Sequence, residues 1–449
     1  MITKVKKFTL KQIVDIKNFG IRELLRKFNL LIKILLKIPV DTIAIIPCVI
    51  IRLISPLITI RIARVKTTNY GDFAGMPAAY YVKKKKKIDQ PKNKYIDLLY
   101  IHHEDKVSNK QLEKMWKRKF NFYSSHILDP INRVGQYLPG WKIHRIEVLC
   151  NRLESMANYF VENWQPLEFT PKEEIDGKKI LNKFGFKDGD KFVCLAVRDG
   201  AYQRNKISPR FRDWSYHDFR NYNINNFLLA AEELTKRGYF VFRMGSIVEK
   251  SFSSKNPKII DYANSDLRSD FMDVYLGAKC SFCISTGLGF DDVPYIFKRP
   301  VALIACPIGD LTPYRVYNEN FLFLSKHHVL KKEKRRLSLS EIFLYGLVTT
   351  FETKGFEKKG IKLEENSPEE IKNLALEMVD YLEFNKKLNP KDEELQKTFK
   401  NLYAAMIKRA VNNGDKDIIL RHISYTKIPG KIRCRFSSQF LRENNNWLK

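Results

Sequence analysis

Between residues 191 and 307, short apolar runs alternate with segments of helical pattern, and this alternation restricts the fold more than any other feature of the chain. The apolar runs at 191–197, 239–243 and 281–284 predict buried strands, and the pattern at 225–237 predicts a crossover helix. Strands that alternate with helices form parallel sheets. We therefore predict an α/β fold with a parallel sheet.

The residues that follow the first two strands suit an anionic ligand. Arg198 follows the first strand, and Arg243 and Gly245 follow the second. Ligands of open parallel sheets bind at the carboxyl ends of the strands. A guanidinium can fork onto a phosphate, and glycine lets a ligand approach the backbone closely. The alternative role for Arg198 is a salt bridge to Asp199 or Asp218 that shapes the loop.

The third strand leads into a turn of small residues that precedes a predicted helix at 290–297. The turn contains Ser285, Thr286, Gly287, Leu288 and Gly289. Amide groups at a helix N-terminus bind phosphate well, although this turn is neither a P-loop nor a complete GxGxxG motif. Asp270 opens another predicted helix at 271–276. It either balances the helix dipole or accepts a hydrogen bond from a sugar or base.

Composition narrows the choice of partners without deciding it. The chain has 449 residues and a formal net charge of +30, so several domains and anionic partners are expected. These partners could be nucleic acid, acidic lipid or a phosphorylated substrate. The seven cysteines are an odd number and are scattered, which indicates reduced thiols in a cytosolic compartment. Cys280 and Cys283 form a lone CxxC, which on a strand favours core packing over metal binding.

The N-terminal segment at 1–64 is basic and apolar. Residues 24–37 have a basic amphipathic pattern, and 43–51 is almost entirely apolar. Pro47, Arg52 and Pro56 interrupt the apolar run, which therefore falls short of the roughly 20 residues that cross a bilayer. We predict a monotopic anchor on an acidic membrane surface. The alternative is a buried helical hairpin.

Composition shifts divide the rest of the chain. The predicted parts are an N-terminal Rossmann-like domain at 65–165, a linker at 166–190, a ligand-binding domain at 191–385, and a helix and tail at 386–449 that pack across the domains. Within the first domain we predict a turn at 68–75, a strand at 79–82, a solvated loop at 83–87, a strand at 95–102 and a helix at 108–120. His102 and His103 are expected to be solvent-facing loop residues, with a catalytic base as the alternative.

The motifs of the central region resemble those of a family of bacterial glycosyltransferases from surface-polysaccharide gene clusters. The resemblance is strong over about residues 190–310 and weak over 55–73 and the tail. It rests on Ala230-Ala231-Glu232-Glu233-Leu234, Arg237-Gly238-Tyr239, Arg243-Met244-Gly245, Ile260-Asp261-Tyr262-Ala263, Arg268-Ser269-Asp270-Phe271-Met272-Asp273 and Ser285-Thr286-Gly287-Leu288-Gly289-Phe290-Asp291.

This resemblance implies a GT-B architecture, in which two Rossmann-like domains face a cleft and the C-terminal one holds a nucleotide sugar. The stretch around Arg198 is similar to the strand-end motif of fucosyltransferase-like enzymes, whose arginine contacts the donor diphosphate. Their histidine two residues earlier is replaced here by Ala196. Their first-domain turn reads Gly-His, whereas this chain has Gly71 and Asp72, so Asp72 is the implied general base.

The resemblance also implies the reaction and its setting. Arg198 and Arg243 would bind the diphosphate, the turn at 285–289 would bind phosphate or ribose, and Asp270 would contact the donor. No metal or other cofactor is expected, because the domain lacks a DxD-type site and Asp291 and Asp292 fall in a predicted helix. The acceptor would be a glycan, lipid-linked at the cytoplasmic face of the bacterial inner membrane, where the enzyme would be peripheral or monotopic.

Two other functions are compatible with the sequence. A GT-B-like sugar-nucleotide epimerase would use the same donor-site features without needing a membrane anchor. A non-enzymatic protein that binds polyanions or membrane surfaces would use the positive charge alone. Nucleic acid is not an expected partner, because the basic residues are spread along the chain and no nucleic-acid-binding module is recognised.

Overall fold

A computed structural model describes residues 20–152, 165–202, 204–205, 214–308, 313–316, 318–384, 388–422 and 432–449. Predictions for residues 1–19, for most of the connector at 153–164 and for much of the loop at 198–216 lie outside this range. The chain forms two compact units. Unit 1 comprises Met1–Arg64, Pro91–Glu104 and Asn121–Ile146, and unit 2 comprises Val65–Gln90, Asp105–Phe120 and Glu147–Lys449.

The strands are β1 Thr59–Arg64, β2 Tyr95–Tyr100, β3 Lys191–Ala196, β4 Tyr239–Arg243, β5 Ile259–Ile260, β6 Phe282–Ser285, β7 Val301–Ala305, β8 Phe321–Ser325, β9 His327–Leu330, β10 Arg335–Arg336, β11 Ile361–Glu364 and β12 Arg435–Phe436. The helices are α1 Ile21–Leu53, α2 Tyr70–Lys85, α3 Lys110–Lys117, α4 Ser125–Gly135, α5 Glu147–Cys150, α6 Pro171–Lys183, α7 Leu228–Lys236, α8 Asp270–Lys279, α9 Asp292–Ile296, α10 Pro313–Val316, α11 Leu339–Leu344, α12 Thr353–Lys358, α13 Pro368–Phe384, α14 Pro390–Asn412, α15 Lys416–His422 and α16 Ser438–Glu443. Short 3-10 helices span Trp141–His144, Ser215–Arg220, Ile224–Phe227, Tyr262–Asn264, Gly289–Asp291 and Asn445–Leu448.

Unit 2 is built on a parallel sheet of seven strands in the order β12-β8-β7-β6-β3-β4-β5. Every residue of β4, β6, β7 and β8 is buried, as is β3 after its first residue. Strands buried on both faces are typical of parallel sheets covered by helices. The predicted α/β class and parallel sheet are therefore confirmed. A separate antiparallel sheet has the order β10-β9-β11.

Local signals predict several element ends correctly. Gly238, with a φ of +89°, separates α7 from β4 and takes a backbone conformation that favours glycine. At the start of α13, the Ser367 and Glu370 side chains each accept a hydrogen bond from the other residue's backbone N–H, which is the capping box that the sequence Ser367-Pro368-Glu369-Glu370 predicts. Cys280 and Cys283 are free and buried, as the core-packing interpretation expected.

Unit 1 is small and contains a parallel pair of strands, β1 and β2, beside α1 and α4. Its core includes Cys48 and Ile51 of α1, Ile62 of β1, Tyr100 of β2 and Ile131 of α4. The Cys48 thiol donates a hydrogen bond to the Ile131 carbonyl. One face of α1 is therefore part of the core of this unit.

The predicted break in the N-terminal segment is wrong, and so is the buried hairpin. One helix of 33 residues, α1, runs through both Pro39 and Pro47. It is the one helix among the described residues that is long and apolar enough to cross a membrane, judged by length and composition, and 17% of its most apolar stretch is buried. Most of its large apolar side chains are exposed. The expected apolar helical segment is present, but it is continuous and solvent-facing.

The predictions for residues 68–87 are also wrong. Helix α2 replaces both the turn and the strand, and it extends through three of the five lysines. Lys83 is buried rather than solvated, and it pairs with Asp89 at 2.8 Å. The chain folds into a helix here because packing covers its glycines and aromatic residues, which local propensity alone does not favour in a helix.

One further local prediction is wrong. His102 is buried rather than solvent-facing, and its ring stacks on that of His103, which stacks in turn on His126. The predicted helix at 108–120 is present as α3, and the Asn109 side chain caps it. The segment at 166–190, predicted as a linker, contains α6, which begins with a full capping box between Thr170 and Glu173.

Candidate active site

The sheet of unit 2 brings the ends of β3, β4 and β6 together. Ala196 pairs with Ser285, and Leu195 pairs with Arg243, so the three strands end within one residue of each other. The segments that follow these strands therefore emerge at one edge of the sheet. This is the edge where open α/β sheets bind their ligands.

The turn that follows β6 is braced from within. Gly287 has a φ of +79°, which favours glycine, and its N–H donates to the Ser285 hydroxyl. The Ser285 hydroxyl donates to Asp291, and the Leu288 N–H donates to the other oxygen of the same carboxylate. Burial raises the pKa of Asp291 to about 6. Two amide groups of the predicted phosphate cradle thus already have partners inside the turn.

Arg198 and Arg220 both contact this turn. The backbone N–H of Arg198 donates to the Thr286 hydroxyl at 2.8 Å, and the Arg220 guanidinium donates to the Gly287 carbonyl. Burial and the neighbouring charge of Arg220 lower the pKa of Arg198 to about 10. Asp218 and Asp199 act in the opposite direction and favour the charge of Arg198. We call Arg198 and Arg220 the arginine pair.

Arg243 is held in a network of its own. It is 1% exposed, and its guanidinium pairs with Asp261 at 3.0 Å and lies 3.7 Å from Asp199. It also donates to the Lys250 carbonyl at 3.1 Å. A buried guanidinium with these partners stabilises the loops after β3 and β4. This placement gives Arg243 a structural role and does not support the predicted contact with a diphosphate.

Gly245 and Arg268 form a second part of the same edge. Gly245 has a φ of +156°, and its carbonyl accepts a hydrogen bond from Arg268 at 3.0 Å. Arg268 also pairs with Asp273 at 2.7 Å, and Asp273 accepts a hydrogen bond from the Tyr262 hydroxyl at 2.9 Å. Burial raises the pKa of Asp273 to about 6. Arg268 therefore links the loop after β4 to Asp273 at the start of α8.

Asp270 joins two helices. Its carboxylate accepts a hydrogen bond from the backbone N–H of Lys110 at 2.7 Å, and its carbonyl accepts one from the Asn109 side chain at 2.8 Å. Asn109 also caps α3 by accepting from the Leu112 N–H. The Asp270 carboxylate is thus placed at the N-terminus of α3, where the helix dipole favours it. This contact resembles the structural alternative rather than donor binding.

Asp72 lies in an ion-pair chain at the first turn of α2. Arg152 is 3.4 Å from Asp72 and 2.6 Å from Asp292, and Asn69 donates to Asp72 at 3.2 Å. The Asp72 carboxylate is thus already engaged by Arg152 and Asn69. This arrangement does not support Asp72 as the group that removes a proton from an acceptor.

The chain approaches itself closely beside Asp292. A Cβ added to Gly71 would lie 2.6 Å from an Asp292 oxygen, and one added to Gly289 would lie 2.9 Å from the Gly71 nitrogen. The two glycines let the start of α2 contact the turn after β6. Gly289 is thus required for packing within unit 2 rather than for approach to a ligand.

Of the predicted site residues, the structure brings Arg198, Thr286 and Gly287 into one cluster. Sequence reasoning missed Arg220 because it lies in a segment that returns to the sheet edge only after folding. Its spacing from Arg198 carries no signal. Among the described residues, no group of three or more His, Cys, Asp or Glu side chains is arranged to hold a metal ion.

No protein-family model and no curated protein matches this chain. Several solved structures show a distant likeness to it, among them three glycosyltransferases. ADP-heptose LPS heptosyltransferase II from E. coli has 12% identity, a TM-score of 0.35, and coverage of 72% of this chain and 99% of its own. The glycosyl transferase family 9 protein from Veillonella parvula DSM 2008 has 10% identity, a TM-score of 0.32, and coverage of 59% and 85%.

The third is the iron-containing dodecameric glycosyltransferase TibC from enterotoxigenic E. coli H10407. It has 14% identity and a TM-score of 0.30, and the likeness covers 59% of this chain and 62% of TibC. Identities and TM-scores this low give no grounds for assigning an activity. The residues of unit 2 are therefore the basis for proposing a function.

Proposed function

We propose that this protein is a glycosyltransferase of GT-B type that transfers a sugar from a nucleotide-sugar donor to a glycan acceptor. The observation that carries the proposal is the arginine pair at the carboxyl edge of the sheet. When the sugar leaves a nucleotide-sugar donor, negative charge develops on the diphosphate. Positive groups fixed before the reaction stabilise that charge most effectively.

Arginine suits this role because its guanidinium forks onto phosphate oxygens and keeps its charge. A bound diphosphate would place negative charge beside both guanidinium groups, which favours binding. Burial strengthens these contacts, because the effective dielectric is lower than in water. The Thr286 hydroxyl holds the backbone of Arg198, and the Gly287 carbonyl accepts a hydrogen bond from the Arg220 guanidinium.

The same arrangement leads us to propose that the reaction needs no metal ion. In many phosphate sites a divalent cation neutralises the leaving group, and here Arg198 and Arg220 would supply that charge. Donor binding should then be the same with magnesium and with a chelator. This expectation concerns the donor only and leaves the acceptor base unassigned.

The wider setting belongs to the same proposal. The sequence resemblance points to bacterial surface polysaccharide, either lipopolysaccharide O-antigen or capsule. The exposed apolar face of α1 is consistent with a peripheral or monotopic protein at the cytoplasmic face of the inner membrane. A lipid-linked acceptor would be available there.

A thermal-shift screen tests donor binding. The full-length protein is screened against common nucleotide sugars and nucleoside diphosphates, with magnesium and with a chelator, because a ligand that binds the native state raises the unfolding temperature. We expect stabilisation by one nucleotide class. Each charge-assisted contact contributes roughly 1.5–3 kcal/mol, so Arg198→Ala and Arg220→Ala should each weaken binding about 10- to 100-fold.

Arg237→Ala is the matched control. Arg237 follows α7 and lies just before β4, at the opposite edge of the sheet, and it pairs with Asp380 at 3.5 Å. Binding in this variant should match wild type. Undiminished binding in both arginine-pair variants would overturn the proposed site. Conversion of the donor sugar without any acceptor would favour an epimerase instead.

A further inference from the structure

The charged residues of helix α1 gather on one side, although Leu30, Ile34 and Ile45 are also exposed on that side. At about 100° per residue, the charged residues between positions 24 and 53 fall on an arc of roughly 120°. These residues are Arg26, Lys27, Lys33, Lys37, Asp41 and Arg52. Five are cations and one is an anion, so this face of the helix is strongly positive.

The opposite face is apolar and exposed. Its large side chains are all at least 38% exposed, and they are Leu24, Leu25, Phe28, Ile32, Leu35, Leu36, Ile43, Ile46, Ile50 and Leu53. Thr42 is the one hydroxyl on this face, and it donates to the Ile38 carbonyl within the helix. Ten large apolar side chains in one stripe exceed what soluble protein surfaces normally carry, and such stripes mark interaction sites.

The charged face of α1 is attached to unit 1 along most of its length. Lys33 pairs with Glu104 at 2.9 Å, Arg133 donates to Asp41 at 3.0 Å, and Arg52 donates to the Pro139 carbonyl at 3.1 Å. Lys33 and Arg52 are 19 residues apart, which corresponds to about 28 Å of helix. This is close to the full thickness of a bilayer's hydrocarbon core, about 30 Å.

These attachments exclude a helix that crosses the membrane while unit 1 keeps its fold. A crossing helix would carry Glu104, Arg133 and Asp41 into the hydrocarbon, where each charge is costly. A helix lying in the plane of the membrane keeps all three at the protein side and buries only apolar side chains. Lysine stems can then extend toward headgroups from the edge of the stripe.

We propose that α1 lies flat in one leaflet of an anionic phospholipid bilayer, with its apolar face in the acyl region and its charged face on unit 1. Anionic lipid is the partner that charge complementarity favours, since Arg26, Lys33 and Lys37 are exposed on the helix in a chain of net charge +30. This goes beyond the proposed glycosyl transfer and does not depend on it, because the test reads lipid binding and not activity.

Vesicle flotation of the full-length protein tests the surface. Wild type should bind vesicles of phosphatidylcholine with phosphatidylglycerol more tightly than phosphatidylcholine alone. Burying one isoleucine contributes about 1.5–3 kcal/mol, so the double variant Ile43→Asp/Ile46→Asp should bind about 100-fold more weakly or worse. Leu344→Asp, at a position 75% exposed in unit 2, is the control and should bind as wild type.

Two measurements keep the result interpretable. The double variant must unfold at a temperature close to wild type, and if it does not, Ile43→Ala/Ile46→Ala replaces it with a smaller expected loss of about tenfold. Sedimentation of wild type shows whether a second copy covers the stripe. The proposal would be overturned if wild type failed to bind vesicles and formed a dimer that the double variant does not form.

The orientation is tested with a protease-cleavable tag at the N-terminus. Protein added to preformed vesicles should lose the whole tag to external protease, because a flat helix keeps both of its ends outside. A tag that is cut only after detergent would mean that the helix crosses the bilayer, and would overturn the flat orientation.

Discussion

Arg198 and Arg243 follow neighbouring strands of one sheet and yet have opposite environments. Arg198 lies beside another cation, and its pKa is lowered by burial and by Arg220. Arg243 is 1% exposed and pairs with Asp261. Burial and Arg220 disfavour the charge of Arg198 while Asp218 and Asp199 favour it, whereas Arg243 is held by a direct ion pair. The two arginines should therefore respond differently to truncation.

We expect Arg243→Ala to lower the free energy of unfolding by about 3–5 kcal/mol, because it removes a buried guanidinium from two partly buried carboxylates, Asp261 and Asp199. Arg198→Ala should change it by less than about 1 kcal/mol, since it removes a buried charge next to a like charge. Urea unfolding of both variants without ligand measures this. A stable Arg243→Ala variant that loses donor binding would instead make Arg243 a ligand contact, as the sequence predicted.

Sequence reasoning identified Arg198 because its position directly after an apolar strand has a physical meaning. The end of a parallel strand specifies a location in three dimensions before the fold is known. Arg220 has no such marker, since its 3-10 helix, Ser215–Arg220, returns to the sheet edge only through tertiary contacts. The neighbours that hold Asp72 and Asp270 are likewise distant in sequence.

Strands and helices differed in how well local pattern predicted them. The buried strands of unit 2 were clear, because their short apolar runs alternate with helix-patterned segments, whereas the apolar run at 43–51 belongs to a long helix. Helix α2 was missed because Gly71, Gly75 and Pro77 lower its intrinsic propensity. In the fold the two glycines allow close packing, since an added Cβ would lie 2.6 Å from Asp292 or Arg152. Packing outweighed propensity here.

Glu173 caps helix α6, and we expect it to contribute substantially to the free energy of unfolding although its segment was predicted to be a linker. Burial raises the pKa of this carboxyl, but hydrogen bonds from Arg118, Gln111 and the Thr170 N–H outweigh burial and lower it to about 2. The carboxylate thereby closes the capping box of α6 and joins α6 to α3. It is 4% exposed, so solvent screens these contacts little.

The pKa of Glu173 is lower in the folded state than its ordinary value of 4.5, so the ionised carboxylate stabilises the fold at pH values above about 4.5. This stabilisation is lost as the pH falls toward 2. Glu173→Gln should therefore lower the free energy of unfolding by up to about 3 kcal/mol at pH 7 and by less near pH 3. Urea unfolding at both pH values measures the difference. Glu233→Gln, on the exposed face of α7, is the control. An equal cost at both pH values would contradict this role for ionised Glu173.

The charge of the whole chain complicates every binding experiment. A net charge of +30 attracts any polyanion at low salt, whatever the function of the protein. Binding to DNA or to a nucleotide at low ionic strength is therefore no evidence for a specific site. The two kinds of binding would differ in the number of contacts, because a diffuse positive surface engages many phosphates, whereas the proposed site at the arginine pair would engage one diphosphate.

This difference appears in the salt dependence. Affinity for arbitrary duplex DNA should fall roughly 1,000-fold or more between 50 and 200 mM salt, because each neutralised phosphate releases a counterion. Affinity for the preferred nucleoside diphosphate should fall by only about tenfold, since two partly buried guanidinium groups hold it and salt screens buried charges less. Titrations of both ligands across this range measure the two slopes. Equal slopes, unaffected by Arg198→Ala, would mean that the nucleotide binds to the general positive surface, and the non-enzymatic polyanion-binding function would then account for both ligands.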